Sequence, residues 1–357
     1  VLFTKAIGRD PQDMGGDDFS AYSGKGLGVM VRLNNGYGGL GTIPAQNHYS
    51  EFAQRCANYV KSSSGAHIWI IGNETNHPIE WPGADWDWDV APPRPQSADK
   101  HGETITPNAY ARCYRLVRDA IHGVPGHEKD QVLPSATAPW NPLTTYPGNE
   151  DGDWVQYFRD ILEELGPLAC DGITIHTYTH GTDPDLIRSE RKVGDSRFSE
   201  YHWDFRAYRD FMHAIPADMR HLPVYITETD QGDEPWRDEN SGWVKAAYGE
   251  IDDWNQNNTQ KIRSLILYRW PHIDRWFIEG KTGLIEDFRE ALAFGYKWSA
   301  ETEPELQMQL QPNQDHSFQP NTKQPHSRNT TSASTAVRSH TTKWLCQSVI
   351  GGTSATQ

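Results

Sequence analysis

Two glutamates stand directly after apolar runs of the sequence, where a side chain can do chemistry. Glu74 follows Asn73 at the end of HIWIIG, and Glu228 closes the run PVYITE. A short continuous apolar run is typical of a strand buried on both faces, and its last residues pass side chains into a loop. Two carboxyl groups that face one another can act as an acid and a nucleophile, which is what the cleavage of an acetal requires.

Other polar and aromatic residues occupy similar positions along the chain. They are Arg32 and Asn34 near the end of the run 27–33, Trp140 after the run 131–138, His176 and Tyr178 in the run 172–178, and Trp270 at the end of the run 264–270. If the runs are parallel strands, their carboxyl ends meet at one edge, and these side chains would share a site with the two glutamates.

The elements that must position these residues follow an alternating pattern. Apolar runs predict strands at 2–8, 27–33, 67–72, 131–138, 172–178, 223–228 and 264–270. Between them, apolar residues recur at helical spacing within 49–60, 106–121, 152–165, 202–214, 242–256 and 286–298. Alternating strands and helices indicate an α/β fold with parallel strands and right-handed crossovers.

Seven strands without an internal linker favour a (β/α)8 barrel (TIM barrel) over a doubly wound sheet. One strand is absent from the count, and we expect it to be the first barrel strand, lost upstream of Val1. Residues 1–300 would form this barrel domain. Residues 301–357 are rich in Gln, Asn, Ser, Thr and Pro, which predicts a disordered tail or a linker.

Composition narrows the classes of partner. The chain has 33 Lys and Arg against 48 Asp and Glu, a formal charge of −15 that disfavours nucleic acid and anionic membrane surfaces. No apolar run reaches the ~20 residues of a membrane-spanning helix. Four scattered cysteines, Cys56, Cys113, Cys170 and Cys346, predict buried thiols, with a Cys56–Cys113 bridge as the alternative.

In its motifs the sequence resembles the clan A glycoside hydrolases, which are retaining enzymes built on a (β/α)8 barrel. The resemblance rests on GNE at 72–74, ITE at 226–228, the His-x-Tyr at 176–178 and the Trp that ends the last strand, Trp270. In architecture it covers roughly residues 2–298. It implies that Glu74 is the acid/base and Glu228 the nucleophile, and an added upstream strand would make theirs the fourth and seventh barrel strands.

The chemistry assigns expected roles to the neighbours. Asn73 carries an amide suited to a sugar 2-hydroxyl, and Trp270 offers a flat apolar face for a pyranose. Apolar surroundings and a second negative charge should raise the pKa of Glu74. Hydrogen bonds from Tyr178 and Arg32 should keep Glu228 ionised. Two plainer interpretations remain, namely a core role for His176 and a purely structural ion pair for Arg32.

The loop after Glu74 contains Trp81, Trp86 and Trp88 among acidic residues. Exposed indoles beside a cleft can stack on sugar rings, and we include Trp81 among the candidate substrate contacts; packing of the loop is the alternative. The alternating acidic residues of the same loop lack the pattern of a calcium site, so we predict no metal.

We therefore expect a monomeric glycoside hydrolase that cleaves β-linked oligosaccharide or polysaccharide by a retaining mechanism without a cofactor, with an extracellular location favoured. Two other classes stay open. A carbohydrate-binding pseudoenzyme would keep the aromatic cleft and lose turnover. A metal-dependent barrel hydrolase would need inward ligands at several strand ends, where only His176 qualifies.

Overall fold

Parallel strands and helices alternate through most of the chain in a computed structural model that describes residues 1–87, 89–90, 92–232 and 234–296. The strands are β1 Leu2–Ala6, β2 Met30–Asn34, β3 Ile68–Ile71, β4 Trp86–Asp87, β5 Arg94–Pro95, β6 Gln131–Pro134, β7 Ile173–His176, β8 Val224–Thr229 and β9 Ile262–Leu267. The helices are α1 Ser20–Ser23, α2 Tyr49–Lys61, α3 Pro107–His122, α4 Trp154–Leu165, α5 Ala207–Ala214, α6 Trp243–Asn257 and α7 Thr282–Ala293.

The strands form two parallel sheets whose order follows the chain. One sheet is β1-β2-β3-β6, and the other is β7-β8-β9. The two sheets adjoin at β6 and β7, where the Thr174 hydroxyl donates to the carbonyl of Pro134 at 2.6 Å. The small strands β4 and β5 form a separate antiparallel pair within a loop.

The α/β class and the parallel order predicted from the sequence are confirmed. Each predicted strand overlaps one of the seven parallel strands, and each predicted helix overlaps one of α2 to α7. Closure into an eight-stranded barrel and a first strand lost upstream stay predictions. The proposed tail at 301–357 and Cys346 lie outside the described residues.

Helix α3 shows how the sequence sets these elements. It begins after Thr106, whose hydroxyl accepts a hydrogen bond from the backbone N–H of Ala109 at 3.3 Å, and Pro107 occupies its first turn. Its Cys113 and Val117 are fully buried in the core. Cys113, Cys56 and Cys170 are free buried thiols, so the prediction of core thiols is confirmed for these three and no Cys56–Cys113 bridge forms.

The length and apolar character of the helices in the described residues decide whether one of them could span a membrane. None of them combines the length and the apolar character that crossing a bilayer requires.

Candidate active site

Glu74 and Glu228 converge on one hydroxyl group. Tyr178 Oη lies 3.3 Å from Glu74 Oε1 and 3.2 Å from Glu228 Oε2. These two carboxylate oxygens can therefore be no further apart than the sum of the two distances, about 6.5 Å, whereas retaining glycosidases hold their carboxyl groups ~5–5.5 Å apart. The side chains remain 18% and 11% exposed, so both can meet a ligand.

Adjacent strand ends produce this convergence. His176 ends β7 and lies beside Glu228 of β8 in the sheet register. Tyr178 follows two residues later, so it points to the same side of the chain as His176. Glu74 is placed differently, because the backbone turns at Gly72 and Glu74 itself has φ 38°, a left-handed conformation that is uncommon outside glycine. Such strain persists where the surrounding structure holds the residue in place.

Arg32 and His176 connect the two glutamates through a chain of side-chain contacts. The buried Arg32 forms an ion pair with Glu228 through Nη1, and its Nη2 lies 3.2 Å from His176 Nε2. His176 Nδ1 lies 2.8 Å from Glu74 Oε1. A guanidinium can only donate, so Nε2 accepts and the imidazole proton sits on Nδ1, where it is donated to Glu74. Both residues that had structural alternatives thus contact the carboxylates directly.

The electrostatic prediction for Glu74 is wrong. Burial opposes ionisation of this carboxyl, as expected, but the hydrogen bond from His176 and the electrostatic interactions with His176, His77 and Arg32 outweigh burial and lower the pKa of Glu74. The sequence-based expectation counted the apolar surroundings and the second carboxylate without the donor that the fold brings to Glu74.

A third carboxyl group, which the sequence analysis missed, adjoins the pair. Glu80 Oε1 accepts a hydrogen bond from Asn73 Nδ2 at 3.0 Å, and Asn73 Oδ1 has no partner among the described residues. Burial and the charges of Glu74 and Glu228 raise the pKa of Glu80 to about 7. Nothing in the sequence separates Glu80 from the other acidic residues of its loop, because the contact depends on the short 3-10 turn that brings it back to Asn73.

A further acidic side chain, Asp230, lies near Glu228. Asp230 is 4% exposed, and its Oδ1 accepts a hydrogen bond from the backbone N–H of Gly232 at 2.6 Å. Burial and the nearby charges of Glu228 and Glu74 raise the pKa of Asp230 well above its usual range. The site therefore concentrates acidic groups, an arrangement that costs stability and is common where carboxyl groups perform chemistry.

The remaining predicted contacts differ in how near they lie to the glutamates. The Trp140 ring centroid is 6.3 Å from that of Tyr178, so Trp140 borders the site. Asn34 ends β2 beside Arg32, but it is 1% exposed and its Oδ1 has no partner among the described residues. Trp270 follows β9 and packs half-buried against the core.

Trp81 does not lie where the sequence prediction placed it. The indole is 1% exposed, and its Nε1 donates to the carbonyl of Thr75 at 3.0 Å. It packs against Trp86 and His101 and so ties the loop to the core. A buried indole has no face to offer a sugar, so Trp81 is corrected from a substrate contact to a packing residue. Trp88 lies outside the described residues.

One group of metal-ligating side chains occurs among the described residues, away from the glutamates. His67, His127 and Asp130 lie at the amino ends of β3 and β6. The Asp130 carboxylate already accepts from His67 Nδ1 at 2.7 Å, from His127 Nδ1 at 2.6 Å and from Trp69 Nε1 at 2.6 Å. This cluster is a saturated hydrogen-bond network and lies apart from the candidate active site.

Comparison with solved structures returns glycoside hydrolases, the class that the sequence motifs resemble. A glycoside hydrolase family 128 (subgroup II) endo-β-1,3-glucanase from Sorangium cellulosum has 12% identity and a TM-score of 0.44, over 81% of this chain and 90% of that one. A family 39 glycoside hydrolase from Bacteroides cellulosilyticus WH2 has 15% identity and a TM-score of 0.41, over 71% of this chain.

A family 44 endoglucanase from Clostridium acetobutylium has 10% identity and a TM-score of 0.42, over 76% of this chain and 60% of that one. The chain spans 47% of the length of the Bacteroides structure. No family model and no curated protein matches the chain.

Proposed function

We propose that this protein is a glycoside hydrolase that cleaves β-linked oligosaccharide or polysaccharide with retention of configuration, using Glu74 as acid/base and Glu228 as nucleophile. One observation carries the proposal: both carboxylates lie within hydrogen-bonding distance of the Tyr178 hydroxyl. Their separation of at most about 6.5 Å leaves room for an anomeric carbon and favours direct attack over the wider spacing of about 6.5–9.5 Å that a water needs.

In the first step, Glu74 gives its carboxyl proton to the glycosidic oxygen while Glu228 attacks the anomeric carbon. The bond from carbon to the leaving oxygen breaks, and an ester to Glu228 forms. In the second step, a water gives a proton to Glu74 and its oxygen attacks the same carbon. The ester bond breaks, and the Glu228 carboxylate is restored.

The neighbouring side chains suit these roles. The Arg32 ion pair and the Tyr178 hydroxyl hold Glu228 in place. Asn73 lies beside Glu74 with an Oδ1 that has no partner among the described residues, and Trp140 and Trp270 offer apolar ring faces. Because the pKa of Glu74 is lowered, its protonated fraction falls as pH rises, and we expect the highest kcat/KM at acidic pH.

Chemical rescue tests the assignment. The wild type is assayed on aryl β-glucosides, β-galactosides, β-xylosides and β-mannosides, and the substrate that is cleaved is then given to two variants. Glu74→Ala should lose about 10²–10⁴-fold in kcat. With an activated aryl leaving group, which departs without the acid, azide should restore turnover, because it replaces the water of the second step without needing the base. The recovered product should be a β-glycosyl azide.

Glu228→Ala should also lose activity, and azide should give an α-glycosyl azide from it, because the anion then takes the position of the missing carboxylate. Glu200→Ala, at an exposed position, is the matched control and should behave as the wild type. Full activity in Glu228→Ala, or cleavage of neither the aryl glycosides nor the corresponding oligosaccharides by the wild type, would contradict the proposed function.

A further inference from the structure

A cavity of about 560 Å³ opens beside the candidate active site. Its lining includes Trp140, Trp203 and the segment 191–195. Trp140 belongs to both places, because it lines this cavity and its ring is 6.3 Å from that of Tyr178, which contacts the glutamates, and 5.6 Å from that of Trp203. The volume falls within the range of about 300–1,000 Å³ that small-molecule sites occupy.

The aromatic wall of the cavity is held in a fixed geometry. The indole Nε1 of Trp140 donates to the carbonyl of His202 at 2.8 Å, and its backbone has φ 58°, which is unusual for so large a residue. Trp203 stacks on His180 with ring centroids 3.9 Å apart and planes within 9°. Both indoles stay half-exposed, so a rigid apolar surface faces the cavity without a large entropic cost on binding.

The polar rim suits a neutral polyol. Arg191 contributes hydrogen-bond donors, but its charge is compensated by a bidentate pair with the buried Asp204 at 3.1 and 2.9 Å. Asp195 is likewise compensated by Arg197 at 2.7 Å. Lys192 is exposed on the same rim, 2.9 Å from His202 Nε2. Two of the three charged residues in the lining are thus compensated by ion pairs, and this mixture of donors and acceptors fits hydroxyl groups better than a carboxylated or sulfated sugar.

We infer that this cavity binds a further, uncharged sugar unit of the chain whose glycosidic bond is cleaved at Glu74 and Glu228. The inference rests on the proposed function and deepens it. Flat indoles pack against the apolar face of a pyranose, while the donors of the rim meet its equatorial hydroxyls. The protein then acts on chains of several sugar units in preference to single aryl glycosides.

The test compares two substrates of the same sugar, an aryl monoglycoside and an oligosaccharide of five units. Trp203→Leu keeps an apolar side chain and removes the flat face, so kcat/KM for the oligosaccharide should fall about tenfold, mainly through KM. The aryl monoglycoside, which does not reach the cavity, should change less than about threefold. Trp203→Phe should lie between wild type and Trp203→Leu on the oligosaccharide.

Two further variants serve as a control and as a second test of the cavity. Phe294→Leu, at a residue that is 63% exposed, is the matched control and should leave both substrates unchanged. If Trp203→Leu fails to fold, as judged by circular dichroism, Lys192→Ala tests the same cavity and should lower only the oligosaccharide rate. An equal loss on both substrates, or no loss on either, would overturn the inference.

A failure of the proposed function gives a different pattern. If the wild type cleaves none of the aryl glycosides or oligosaccharides, titration calorimetry with gluco-, galacto-, xylo- and manno-oligosaccharides tests the cavity alone. Binding that disappears in Trp203→Leu supports the cavity without catalysis. The absence of binding to all four overturns the sugar site as well.

Discussion

The two ends of the parallel strands each combine a buried carboxylate with histidine, arranged in opposite ways. At the amino end, Asp130 accepts from two histidines and an indole, and no second carboxylate is part of the cluster. At the carboxyl end, Glu74 and Glu228 share one arginine, one histidine and one tyrosine hydroxyl, with Glu80 and Asp230 close enough to interact electrostatically.

The two clusters differ in how completely their polar groups are hydrogen-bonded within the protein. A carboxylate whose acceptors are filled by donors stabilises the fold, and it has little capacity left for a ligand. The carboxyl end has unpartnered amide oxygens on Asn34 and Asn73 among the described residues, like charges in proximity and a left-handed Glu74, all of which cost folding energy. Unsatisfied groups gathered at one strand edge are what a site needs to bind and transform a substrate.

Matched substitutions at the two ends should separate activity from stability most strongly. Glu228→Gln keeps the shape of the side chain and removes the proposed nucleophile, so kcat should fall by about 10⁴-fold or more. Asp130→Asn should leave kcat within about threefold of wild type but lower the free energy of unfolding by about 1.5–3 kcal/mol, because it disrupts hydrogen bonds to a charged acceptor. Aryl glycoside kinetics and urea unfolding measure the two effects, and interchanged outcomes would refute the contrast.

The His176 donor should set the pH profile at the carboxyl end. Its hydrogen bond is one of the interactions that lower the pKa of Glu74, so His176→Phe should raise that pKa. Because the proposed acid must carry its proton, the alkaline limb of kcat/KM should then move to higher pH. An alkaline limb that does not move would show that His176 does not control the pKa of Glu74. His127→Phe, from the amino-end cluster, is the control and should leave the alkaline limb unchanged.

Glu80 should reveal itself through the pH dependence of stability. Its folded pKa of about 7 exceeds the ordinary value of 4.5, so its contribution to stability is complete below pH 4.5 and is lost as pH rises through 7. Glu80→Gln removes this loss. Relative to wild type, the variant should gain on the order of 1–2 kcal/mol between pH 4.5 and 8, measured by urea unfolding at both values. If the free energy of unfolding of Glu80→Gln relative to wild type is the same at both pH values, the raised pKa of Glu80 is contradicted.

The smallest expected effect concerns Trp81, whose indole belongs to the core. Trp81→Phe should lower the free energy of unfolding by about 1–2 kcal/mol, because a smaller ring leaves part of the buried volume unfilled. KM for an aryl glycoside should stay within about twofold of wild type, since the indole presents no face to the site. A large rise in KM with unchanged stability would return Trp81 to the substrate contacts.

What the sequence predicted well is local. An apolar run ending in Glu74 or Glu228 predicts both a buried strand and a carboxyl group at its end, and the cap at Thr106 marks the start of a helix. Arg32, His176 and Tyr178 could be selected because they follow the same positional rule in other strands.

What the sequence could not supply depends on contacts between distant residues. The sign of the Glu74 pKa shift is the balance of burial against a donor 102 residues away. Glu80 reaches Asn73 through a turn that the acidic residues of the loop do not predict. Whether an indole such as Trp81 packs inward or faces a cleft is decided by the path of its loop, which periodicity does not describe.

The most direct measurement is covalent trapping of the nucleophile. A 2-deoxy-2-fluoro glycosyl fluoride of the sugar that the protein cleaves slows both steps and accumulates the glycosyl ester. Intact-protein mass spectrometry should show the addition of one fluorosugar, and peptide mapping should place it on Glu228, with no addition in Glu228→Gln. A label on another residue, or turnover of the natural substrate with inversion and no label, would contradict the assignment of Glu74 and Glu228 as a retaining pair.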